Sequence, residues 1–117
     1  MKIEQHFDVM DIISDEALLV EAEIYLIDTE KGGRKAPVTA RYSPNHNFAD
    51  EENKIFYIGN IEFEEGEWLY PGESKNLIVN FMNVQGLREL LIINRKWRIQ
   101  EASHLVGYGI IKRIINK

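Results

Sequence analysis

Cysteine is absent from the 117 residues, which excludes disulfides, thiolate nucleophiles and thiolate metal sites and fits a reducing compartment. Long apolar runs are also missing. The longest hold about four residues, as at positions 90–93, whereas a membrane helix needs roughly twenty and a signal peptide roughly seven near its start. The chain opens Met1-Lys2-Ile3-Glu4-Gln5-His6, so it is expected in the cytoplasm, with no membrane partner. An excess of positive charge is lacking too. Fourteen Lys and Arg stand against 19 Asp and Glu, a formal net charge of −5, the reverse of a general nucleic-acid clamp.

The patterns of catalysis are equally sparse. No Gly-x-x-x-x-Gly-Lys-Ser/Thr loop is present to cradle a phosphate at the start of a helix; Gly32-Gly33-Arg34-Lys35 lacks that spacing and follows a strand. GTP binding and hydrolysis are therefore not expected. The three histidines, His6, His46 and His104, lie too far apart for a local metal motif. Ser103 and His104 are neighbours, and neighbours on a strand point to opposite faces, so they do not form a nucleophile and base. Glu62, Glu64, Glu65 and Glu67 read as a solvated acidic turn. The expectation is a protein that is not an enzyme and carries no cofactor or metal.

What is present is β-structure. The length suits one domain, and 44% apolar residues can fill a core. Over residues 20–28, Val20, Ala22, Ile24 and Leu26 alternate with Glu21, Glu23 and Tyr25, the period of a half-buried strand. Gly32-Gly33 marks a turn. A second strand is predicted at residues 38–42, ended by Ser43-Pro44-Asn45, where the proline takes the chain out of the ladder. Residues 47–53 read as a loop. Residues 55–63 are rich in strand formers, with Gly59-Asn60 as a bulge or bend. Pro71-Gly72 predicts a type II turn, and residues 77–82 a strand. Residues 83–89 read as a connector with a short helical turn around Gln85-Gly86. Residues 91–99 alternate again, with Leu91, Ile93, Trp97 and Ile99 towards the core. Residues 105–115 form the last strand, with Gly107 and Gly109 where a neighbouring backbone approaches closely. Residues 1–19 differ: Ile3, Phe7, Met10 and Ile13 recur at helix-like spacing, so this N-terminal extension is a helix or an extra strand, set before a domain over residues 20–117.

The order of the punctuation is more specific than any one mark. Val20-Glu21-Ala22-Glu23-Ile24-Tyr25-Leu26 is followed by Gly32-Gly33-Arg34, Pro37, Tyr42-Ser43-Pro44, Tyr70-Pro71-Gly72-Glu73, Trp97-Arg98-Ile99-Gln100-Glu101 and Val106-Gly107-Tyr108-Gly109-Ile110. From about residue 20 to 115 this series resembles the C-terminal barrel domain of bacterial elongation factor Tu and its relatives. The resemblance implies an all-β fold, a closed six-stranded antiparallel β-barrel. It also implies a module that offers a surface to the T-stem of aminoacyl-tRNA and to partner proteins, without nucleotide chemistry of its own.

The chain departs from that pattern at several places. The family's Tyr-Arg-Pro is Tyr42-Ser43-Pro44, and its Glu-Gly-Gly-Arg is Glu101-Ala102-Ser103-His104. Its Asp-Val-Thr-Gly has no counterpart around residues 55–61, and residues 83–90 make a longer connection than the family's. Two arginines that could grip phosphate bidentately are thus replaced, while Arg34 is retained. The candidate partner-binding residues are Arg34, Lys35, Arg41, Lys96 and Arg98, with His104 at a position of a lost arginine. Arg34 and Glu101 could equally pair with each other and tie a rim. Two functions remain open: a protein-interaction module, in which Trp68, Tyr70 and Trp97 could supply contact area or, alternatively, pack the core, and an RNA-binding accessory domain that takes tRNA.

Overall fold

In the computed structural model, which describes residues 12, 14–49 and 56–116, the alternation of the first strand is complete. β1 (Leu18–Leu26) buries Leu18, Val20, Ala22, Ile24 and Leu26 and turns the residues between them outward. It is followed by β2 (Asn45–Asn47), β3 (Tyr57–Glu62), β4 (Ser74–Phe81), β5 (Lys96–Glu101) and β6 (His104–Ile114). The strands close into an antiparallel barrel in the order β1-β4-β3-β2-β5-β6. Closure pairs every edge, so recognition through added strands is not open to this fold.

One face of each strand fills the interior: Leu77, Val79 and Phe81 from β4, Ile61 from β3, Trp97 and Ile99 from β5, Val106 and Ile111 from β6. Burying each such side chain contributes roughly 1.5–3 kcal/mol relative to leaving it exposed. Trp97, only 2% exposed, packs face to face with Phe48 at 5.1 Å between centroids and edge-on to Phe81 at 6.0 Å. Gly109 lies directly opposite Trp97 in the β5–β6 ladder. A Cβ there would come to 2.5 Å from the indole ring, and one at Gly107 would strike the Tyr25 carbonyl. Both glycines mark close approaches, to a ring in one case and to backbone in the other.

Several local expectations are corrected. Residues 38–42 are not a strand. They make only two isolated bridges, Val38 to Leu69 and Tyr42 to Ile61, because a turn intervenes in which Arg41 takes φ 73°. The strand comes next, at Asn45–Asn47, so the chain enters the ladder after Pro44 rather than leaving it. The reason is polar burial: His46 and Asn47 are interior and hydrogen-bonded, which hides the strand from an apolar pattern. Gly59-Asn60 is not a bulge; β3 runs in register with β4 through Gly59–Phe81 and Asn60–Asn80. The register shifts lie at Glu21/Ala22 and Ile99/Gln100 instead. β5 begins only at Lys96, since residues 92–95 form a turn with Asn94 at φ 73°. Ile93 is consequently 47% exposed rather than buried.

The connector after β4 holds a turn and a short 3₁₀ helix at Arg88–Leu90, and Pro71-Gly72 is the expected type II turn, with Gly72 at φ 91°. β1 starts two residues inside the segment 1–19. Most of that segment lies outside the described residues, and with it the choice between helix and strand; Ile12 makes an isolated bridge to Val84. No helix among the described residues is long and apolar enough to cross a membrane.

Candidate interaction surfaces

Antiparallel pairing throughout gathers the connections at two ends of the barrel. Residues 27–44, 63–73 and 102–103 share one rim, and residues 82–95 belong to the other. Arg34, Lys35, Arg41 and His104 therefore come together at the first rim. Lys96 and Arg98 do not join them; they stand on the outer wall, alternating with the interior Trp97 and Ile99 of β5.

At the rim Arg34 is engaged. Its Nε donates to Glu101 Oε2 at 2.7 Å, its Nη1 donates to the carbonyls of Ala36 and Pro37 at 2.6 and 3.1 Å, and its guanidinium lies 5.4 Å from the Tyr42 ring centre. The Tyr42 hydroxyl donates to the same Glu101 oxygen at 2.6 Å. Burial, then the Glu101 carboxylate that accepts its proton, hold the Tyr42 phenol far above its usual range, against a smaller opposing pull from Arg34. His104 Nε2 and the Gly32 carbonyl oxygen are 2.7 Å apart, which requires an Nε2–H donor and ties the 102–103 turn to the first loop. The Arg34–Glu101 pair that the sequence allowed is thus the tie of this rim. Lys35 and Arg41 are exposed, and neither makes an ion pair among the described residues.

The same rim presents two aromatic side chains. Trp68 is 44% and Tyr70 51% exposed, on either side of the fully buried Leu69. Their backbone is held on both sides: Val38 and Leu69 exchange both amide bonds at 2.9 Å, Lys75 Nζ donates to the Trp68 carbonyl at 2.9 Å, and the Tyr70 amide donates to Glu73 Oε1 at 3.0 Å. The pair is therefore offered from a fixed segment, and ordering it on contact costs little entropy.

On the wall, Lys96 Nζ sits 4.2 Å from the Tyr108 ring centre, an attraction between cation and ring quadrupole. Tyr108 pairs with Tyr25 of β1 on one side and Arg98 of β5 on the other. The cations of this wall are nameable from residue type, whereas its tyrosines meet only through the β1–β6 register. Inside the barrel, His46 accepts a hydrogen bond from Trp97 Nε1 at 2.9 Å and donates to the Gly59 carbonyl at 3.0 Å. Among the described residues no group of three His, Asp or Glu is placed to hold a metal ion.

These features define a closed β-barrel that presents side-chain surface at one rim and along one wall. No protein-family model matches the chain.

Proposed function

We propose that this chain is a non-catalytic protein-interaction module of the cytoplasm, a barrel of the kind found at the C-terminus of elongation factor Tu. The observation that supports it is the exposed Trp68–Tyr70 pair on a backbone pinned from both sides. Rigid aromatic side chains at a surface are the usual anchors of binding hot spots. The acidic net charge and the engagement of Arg34 by Glu101 point away from polyanions as the main partner. Tyr70→p-benzoylphenylalanine, irradiated in the source cell, should give one dominant protein adduct that disappears with Trp68→Ala. A ladder of unspecific adducts, insensitive to Trp68, would count against this reading.

A tRNA-binding accessory role is supported by a separate observation, the exposure of Lys35 and Arg41 beside the locked Arg34. It requires saturable binding of labelled tRNA that weakens steeply between two salt concentrations, as phosphate neutralisation releases counterions. No binding at low salt eliminates it.

A further inference from the structure

The register of three strands builds a second surface on the outer wall of the barrel. Tyr25 of β1 faces Tyr108 of β6, and Glu23 faces Ile110, which in turn faces Lys96 of β5. Ile24, Gly109 and Trp97 occupy the intervening inward positions, so these side chains all lie on the outside of the barrel. The Lys96 ammonium, stacked on the Tyr108 ring, forms a post between two depressions of about 290 Å³ each. Glu23, Tyr25, Ser74 and Ile110 line the first; Ala49, Trp97 and Arg98 line the second, Arg98 being engaged in an interaction of its own.

The charges of the wall are unequal in their state. Lys112 pairs with Glu23 at 3.6 Å and Arg113 with Glu21 at 3.0 Å, so both already have a carboxylate partner. Lys96 makes no ion pair among the described residues; the π-face of Tyr108 is its partner. An ammonium set among aromatic and aliphatic surface attracts a carboxylate more strongly than one in open water, because part of the solvent around it is already displaced. A nucleic-acid strand would need a track of available cations along its phosphates, and here the flanking cations are taken by Glu21 and Glu23. One cation between two side-chain-sized hollows matches a single acid with an apolar neighbour. We infer that this wall is a docking site for an acidic peptide segment in which a carboxylate adjoins an aromatic or aliphatic side chain. The carboxylate would meet Lys96, and its neighbour the hollow between Tyr25 and Ile110. The inference rests on the protein-binding reading above and assigns it a partner chemistry at a surface separate from Trp68.

The test is an amide NMR titration of the full chain with three probes: acetyl-Glu-Phe-Leu-Glu-amide, acetyl-Gln-Phe-Leu-Gln-amide and octauridylate. The acidic peptide should shift the amides of Tyr25, Lys96, Tyr108 and Ile110 saturably and bind at least tenfold more tightly than its amide counterpart. Lys96→Ala should remove most of that preference with the rest of the spectrum unchanged, and Lys96→Arg should keep it. Equal binding of the two peptides, shifts confined to other surfaces, no shifts at all, or tighter binding of octauridylate at these residues would each overturn the proposal. The Tyr70 cross-link separates the two levels. An intact adduct without peptide binding sinks the wall alone, whereas loss of both sinks the protein-binding reading with it.

Discussion

The indole Nε1–H of Trp97 donates to Nδ1 of His46 across 2.9 Å inside the barrel, while His46 Nε2 sits 3.0 Å from the Gly59 carbonyl oxygen. A carbonyl can only accept, so Nε2 carries the proton and Nδ1 receives the indole. Both ring nitrogens are committed to the neutral imidazole. Protonation would place a second N–H against the Trp97 donor in a fully buried site.

The first prediction concerns acid. Burial lowers the His46 pKa from its ordinary 6.5 to about 4, with the Gly59 carbonyl opposing it more weakly. The unfolded chain takes up this proton as pH falls through 6.5, and the folded chain does so only near 4. Stability contributed by neutral His46 is thus fully present above pH 6.5, falls between 6.5 and 4, and then levels off. The loss should amount to about 3 kcal/mol. Urea midpoints across that range should follow this slope, and His46→Phe should flatten it; an equally steep slope in the variant would assign the acid sensitivity elsewhere.

The second prediction concerns Gly109. A Cβ there would overlap the Trp97 indole, and Trp97 is also held by His46 and stacked on Phe48, so it has little room to move. Gly109→Ala should cost about 1–3 kcal/mol through overpacking, read as a lower urea midpoint with unchanged m. Trp97→Phe should recover part of the loss, because the smaller ring vacates the contested volume.

These two residues show where the sequence could be read and where it could not. β1 was legible because its inward residues are apolar and its outward ones polar from Glu21 to Tyr25. β2 was not, because Asn-His-Asn carries no apolar signal, and its burial depends on Trp97, Gly59 and Gln100, far away in the chain. Ile93 is exposed against the pattern because alternation continues through residues 91–95 although Asn94 turns the backbone. At the surfaces, Trp68, Tyr70 and the Arg34–Glu101 pair were nameable from residue type and turn position. The Tyr25–Tyr108–Lys96 wall was not, since its members meet only through the registers of β1 with β6 and of β6 with β5.

The third prediction tests the rim tie. Glu101 Oε2 accepts from both Arg34 Nε and the Tyr42 hydroxyl, so the three side chains should not be energetically independent. The pair is partly exposed, at 24% and 35% of the side chains, so solvent screening limits its worth to about 1 kcal/mol. A double-mutant cycle of Arg34→Ala and Glu101→Gln in thermal unfolding should return a coupling of that size. A coupling of zero would reduce the arrangement to two independent surface contacts.

The fourth prediction separates the two tryptophans. Trp97 is interior and donates to His46, whereas Trp68 is 44% exposed and its indole meets no other ring among the described residues. Trp97→Phe should therefore leave emission that is red-shifted and readily quenched by iodide, and Trp68→Phe emission that is blue-shifted and protected. The same contrast should divide stability from binding. Trp97→Ala should cost about 3–5 kcal/mol through the cavity it opens, with His46 Nδ1 left unpaired. Trp68→Ala should change stability by no more than about 0.5 kcal/mol, as surface substitutions usually do, yet abolish the Tyr70 cross-link. A Trp68→Ala protein that unfolds early would show that this indole serves the fold, and that its exposure is not evidence of an interface.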